Sequence, residues 1–194
     1  EKAVIANVAP KALLRLTGGS GEARHDAAMR DFQHAPGTMM IHLAMDDLPD
    51  WPAAELKRFA YVPLAPSLDQ MARTDAQAKA GLLPDGPVIV CGQPTVVDPS
   101  RAPQGKHVLW LQVRMVPGEI KGDAAGKIAA RHWEDAAAPM AERALDLLER
   151  YAPGLRKRIL GQHVVSPAML EADNPNLVGG EQVAGRPQPP TPVP

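Results

Sequence analysis

Six histidines and a single cysteine are the groups in this sequence best suited to hold a metal, move a proton or attack a carbon. His25, His34, His42, His107, His132 and His163 show no i, i+3 or i, i+4 spacing among themselves, and none has a cysteine at zinc-site spacing, so no metal is expected. Cys91 lies in the apolar run PVIVCGQP, where an inert buried thiol is the expectation. The segment TGGSGEA (17–23) fits no dinucleotide fingerprint, and neither a P-loop nor G-x-S-x-G occurs, so it reads as a turn. Arg156-Lys157-Arg158 reads as a solvated helix end.

Alternation is the more informative pattern. In HVLWLQVRMV (107–116), Leu109, Leu111, Val113 and Met115 fall on one side and Trp110, Gln112 and Arg114 on the other. In GTMMIHLAM (37–45), Met39, Ile41, Leu43 and Met45 oppose Met40, His42 and Ala44. Each is a strand with one apolar and one mixed face, which belongs in an antiparallel sheet buried on a single side. On the mixed faces, Trp110 can supply an apolar wall and Arg114 a contact for an anion or carbonyl. His42, with an ordinary pKa near 6.5, can give or take a proton. These side chains serve together only if neighbouring strands place them on one wall; otherwise they form a solvent-facing or domain-packing surface.

Three further stretches read as strands: VIANV (4–8), RFAYVPLA (58–65) and PVIVCGQP (87–94). A helix is expected over 66–83 with Ser67 as its cap. Another is expected over 123–151, carrying Ile128, Trp133, Met140, Ala144, Leu147, Leu148 and Tyr151 on one stripe, kinked or divided at Pro139. Pro153-Gly154 ends it, and 155–160 reads as a further short helix. Strands and helices without regular βαβ alternation predict an α+β fold, a mixed or antiparallel sheet of about five strands with helices packed on one face.

The bulk properties agree with a soluble globular domain. The chain has 194 residues, 45% of them hydrophobic, and its 21 basic and 22 acidic residues leave a net charge of -1, so no global field draws in nucleic acid. One cysteine excludes a disulfide framework and suits a reducing compartment. There is no apolar run of transmembrane length. Beginning at Glu1 with AVIANV close behind, the chain reads as a piece of a longer polypeptide.

The succession VIANVAPKALL (4–14), PGTMMIHLAMDDLPDW (36–51), RFAYVPLAPSLDQMART (58–74), GQPTVVDPSRAPQGKHVLWLQVR (92–114), ERYAPGL (149–155) and SPAMLEADNPNLVGG (166–180) resembles the phytoene-desaturase-like FAD-dependent oxidoreductases, most of all their pyridine nucleotide-disulfide oxidoreductase branch. The resemblance implies a Rossmann-type FAD domain interrupted by a substrate domain. Residues 1–185 correspond to the substrate domain and 186–194 form a proline-rich tail. The family's G-x-G-x-x-G and its last flavin-contacting segment have no counterpart here, so the chain is not expected to hold FAD, or to be active, on its own. Its implied partners are the FAD-binding domain of the same parent polypeptide and a small apolar or amphipathic substrate, in a cytoplasmic setting. Bare sheet edges would favour self-association.

By the same resemblance, 4–10 crosses from the FAD domain and places the backbone near Asn7 beside the isoalloxazine, and Gly179 and Gly180 allow close approach on the return crossing. The alternative is that Asn7 caps a strand end and the two glycines make a turn. Met40, His42, Trp110, Gln112 and Arg114 would line the substrate cavity. A second functional reading is a non-catalytic interaction domain, because Arg186 to Pro192 matches R-x-x-P-x-x-P, a polyproline pattern that docks on SH3-type grooves.

Overall fold

The computed structural model describes residues 3–183 and 185. Two short helices, α1 (Pro10–Thr17) and α2 (Ala23–Arg30), precede strand β1 (Gly37–Met45) and strand β2 (Tyr61–Leu64). Helix α3 (Leu68–Lys79), the two-residue β3 (Leu82–Leu83), β4 (Val88–Gly92), β5 (His107–Val116) and the short β6 (Gly122–Asp123) follow. The long α4 (Trp133–Tyr151), β7 (Ile159–Val165) and α5 (Pro167–Asp173) complete the order. The fold is α+β. Its main sheet has five strands in the order β2-β4-β5-β1-β7, with every neighbouring pair antiparallel.

One face of that sheet is the core. Met39, Ile41, Leu43 and Met45 of β1, Ile89 and Cys91 of β4, and Leu109, Leu111 and Val113 of β5 are inaccessible or nearly so. They form one cluster with Ala136, Met140, Ala141, Ala144, Leu145 and Leu148 of α4. The helix is thus the lid of the core, and small residues on its stripe let it sit close to the sheet.

Local chemistry explains where the elements begin. Ser67 accepts from the Gln70 amide and caps α3, as its sequence context indicates. Residues 123–132 do not extend α4 backwards, because the Asp123 carboxylate captures the Lys127 and Ile128 amides at 2.8 Å each, holding a turn where a helix would need those donors. The same carboxylate grips Arg143 of α4 through two 2.7 Å hydrogen bonds, with the Asp123 side chain 1% exposed, which ties β6 to the helix. Burial opposes ionisation of Asp123, but Arg143 and the two amides outweigh it and bring its pKa down to about 2.

Three expectations are corrected. Residues 4–8 form no strand; Val4 and Ile5 stand in solvent, and the nearby Ala9 amide bonds the Asn176 side chain instead of a ladder. The fifth strand is β7, where 155–160 was expected to be helical; only a single 3-10 turn, Leu155–Arg158, precedes it. Its pairing with β1 overrides a weak local pattern. Pro139 does not divide α4, which runs unbroken from Trp133 to Tyr151 with the proline exposed. The proline-rich segment 186–194 lies outside the described residues. Among the described residues no helix is long and apolar enough to cross a membrane.

Candidate functional site on the open face of the sheet

The second face of the sheet is not covered by α4, and strand register assembles it in rows. Gly92 of β4 stands between Tyr61 of β2 and Trp110 of β5; Trp110 faces His42 of β1, which faces His163 of β7. The next row is Pro63, Val90, Gln112, Met40 and Val165, and beyond it Val88 pairs with Arg114 and Arg114 with Thr38. Met40, His42, Trp110, Gln112 and Arg114 therefore share one wall. The topology also adds Tyr61 and His163. Neither carries a sequence signal of its own: RFAYVPLA shows a strand without marking Tyr61 for the open face, and His163 lies in a stretch with no strand pattern.

Gly92 makes the aromatic end of this wall. Trp110 lies across the position where a Gly92 Cβ would be, and its ring meets Tyr61 with centroids 5.4 Å apart and planes at 55°. Beside them, Trp51, Leu56, Phe59 and Tyr61 line an apolar cavity of about 500 Å³ at the β2 edge. At the centre, partial burial and then electrostatic repulsion from His163 hold the pKa of His42 below its ordinary value, so His42 favours its neutral form.

The opposite end is polar and braced. Gln112 Nε2 donates to Gln182 Oε1 at 2.7 Å, and Arg114 Nε donates to Gln112 Oε1 at 2.7 Å. The alternation breaks just after Arg114: Met115 has a φ of 58° at the register shift between Gly37 and Thr38, a β-bulge that takes Met115 off the core face. Ala35, Pro36, Lys79, Arg114, Met115 and Val183 are among the residues around a cavity of about 490 Å³ at this end.

Next to it, a cavity of about 360 Å³ separates the segment carrying Asn7, Val8 and Ala9 from the segment carrying Asn176, Glu181 and Gln182. The two segments touch through the 2.9 Å bond from the Ala9 amide to Asn176 Oδ1. His34 lines the same space. Its Nδ1 is 2.5 Å from Glu181 Oε2, its ring stands edge-on to Phe32, and its buried Nε2 has no hydrogen-bond partner among the described residues. A buried polar atom without a partner costs about 1–3 kcal/mol, so Nε2 is a position at which a bound group would be stabilised.

Asn7 is exposed and borders this cavity. Gly179 and Gly180, with φ of 63° and 74°, use their freedom within the chain itself: a Gly37 Cβ would lie 2.1 Å from the Gly179 carbonyl oxygen, and a Gly180 Cβ 2.6 Å from Pro167. The glycines press the return segment onto the end of β1. Cys91 is fully buried and burial pushes its thiol up to about 12, so it stays protonated. Among the described residues no three metal-ligating side chains cluster.

No family model matches the sequence. The chain is similar to pyridine nucleotide-disulfide oxidoreductase domain-containing protein 2 of Rattus norvegicus, 34% identical over 95 residues, which is 48% of this chain and 15% of that protein. The protein of the same name from Mus musculus gives the same figures. About half of this chain thus shares sequence with oxidoreductase-family proteins, and the match spans under a fifth of their length. An oxidoreductase from Methanosarcina mazei superposes with a TM-score of 0.45 at 16% identity, over 84% of this chain and 31% of that one.

Proposed function

We propose that this chain is the substrate-binding part of a phytoene-desaturase-like, FAD-dependent oxidoreductase, in which hydride passes between flavin and a substrate lying on the open sheet face. The observation that carries the reading is the wall itself. Side chains from all five strands form a mixed aromatic, neutral-histidine and guanidinium surface, and Gln182 joins that surface to the cavity between the two segments near Asn7 and Asn176. Because those segments lie side by side, one neighbouring domain could connect to both. The sequence similarity to oxidoreductase-family proteins supports the class of chemistry.

A bound flavin supplies the redox step, while the protein contributes binding, orientation and water exclusion. Asn7, the unpartnered His34 Nε2 and Gln182 are the groups on this chain that fit the polar edge of such a ring. Glu181 holds the His34 ring in place through Nδ1. Gly179 and Gly180 set the course of the return segment. Trp110 and Tyr61 form the apolar floor, and His42, kept neutral by burial and by His163, can accept a proton from substrate near pH 7.

The test is to express the polypeptide with its flanking coding sequence and record its visible spectrum. Flavin absorption that is released on denaturation, with a G-x-G-x-x-G encoded in frame upstream, is the expected result. A colourless product from a reading frame without that motif overturns the proposal.

A further inference from the structure

Resting on the reading of the open face as a substrate wall, we infer that its substrate is an amphipathic carboxylic acid, bound with its carboxylate on Arg114 and its apolar body running along the sheet toward Trp110 and Tyr61. Arg114 is the wall's one cation on β5, and among the described residues it makes no ion pair. It is nevertheless braced. Gln182 orients the Gln112 amide, and Gln112 takes the Nε–H of Arg114, while the two terminal nitrogens of the guanidinium have no hydrogen-bond partner among the described residues. Two N–H groups side by side match the two oxygens of a carboxylate.

The charge balance of the cavity favours a single negative charge. Lys79, the other cation lining it, is neutralised by Asp75 at 2.5 Å, so Arg114 is left as the unmatched charge, and a dianion such as a phosphate would meet the Asp75 carboxylate with too little positive charge to offset it. Arg114 and Trp110 are four positions apart on β5, about 13 Å along an extended strand. Between them lie Gln112, Met40 and Val90, and at the far end the Tyr61–Trp110 pair offers a face for an apolar or aromatic terminus. Polar at one end and apolar along its length, the wall fits a ligand of the same design.

The experiment titrates this chain with 6-phenylhexanoate and, separately, with its uncharged amide, following tryptophan emission. Trp133 is 3% exposed in the core, but Trp51 lines the apolar cavity beside Tyr61, so the emission change is assigned to Trp110 by its loss in Trp110→Phe. At neutral pH the acid is expected to bind about tenfold more tightly than the amide, a preference that narrows with added salt. Arg114→Gln should bring the acid to the level of the amide, with an unchanged far-UV circular dichroism spectrum and urea midpoint showing that the variant is folded. Arg114→Lys, which keeps the charge and loses the fork, should retain part of the preference. Equal binding of acid and amide by the natural chain, or a preference that survives Arg114→Gln, overturns the carboxylate assignment and leaves the substrate wall standing. If neither compound perturbs Trp110, the wall reading and the inference fail together.

Discussion

Replacing Gly92 with alanine would place a Cβ 2.2 Å from Cε2, 2.5 Å from Cζ2 and 2.6 Å from Cδ2 of Trp110, where ordinary carbon contacts are about 3.5–4.0 Å. The indole must therefore move by about 1 Å or more, away from Tyr61. Losing the aromatic pair costs about 0.5–1.5 kcal/mol. Uncovering roughly 50 Å² of apolar surface costs about 1 kcal/mol more. Against this, alanine in place of glycine within a strand is worth about 0.5–1 kcal/mol, and Gly92 has no positive φ that would forbid it. Gly92→Ala should then destabilise the chain by about 1–2 kcal/mol on these magnitudes. In a Trp110→Ala background the obstacle is gone, and the same substitution should stabilise by about 0.5–1 kcal/mol. Urea unfolding followed by circular dichroism in both backgrounds measures this, provided the m-value is constant. The same sign in both would refute the reasoning that Gly92 is there to seat the indole.

Other consequences can be checked with similar means. Asp123→Asn leaves Arg143 without its counter-charge at a site where the arginine is 13% exposed, and should cost about 3 kcal/mol in denaturant unfolding. With its folded pKa lowered to about 2, Asp123 contributes stability that is full above its unfolded value of 3.8 and is lost as pH falls from there toward 2; this part of the acid transition should vanish in Asp123→Asn. For His42, lowered by burial and then by His163, the unfolded chain takes up the proton first. Stability should therefore decline as pH drops below about 6.5, and proton NMR should show a His42 midpoint under 6.5 that rises in His163→Asn.

Much of the sheet was legible because period-2 alternation is strong where one face is fully buried. GTMMIHLAM and HVLWLQVRMV coincide with β1 and β5 end to end. The errors share a cause. VIANV has strand-like composition but joins neither edge of the sheet, whereas ILGQHVV has a weak pattern because β7 is an edge strand with Gln162 and His163 exposed, so pairing rather than burial defines it. Residues 123–132 look helical by composition, yet a single carboxylate, Asp123, takes the amides a helix would need. Met115 was placed on the core face by counting in twos, and a bulge moved it off.

Composition and periodicity by themselves determined that this is an α+β chain with one buried sheet face, an inert Cys91, and Met40, His42, Trp110, Gln112 and Arg114 on the mixed sides of two strands. Those are local properties, set by which side chain follows which. Tertiary structure alone decided that β5 lies beside β1, that Gly92 lets Trp110 reach Tyr61, that His163 faces His42, and that Gln182 braces Gln112 and through it Arg114. These depend on strand order and register between segments up to 121 residues apart, as from His42 to His163. No local pattern encodes them, because a one-residue slip in register would send every one of these side chains to the other face.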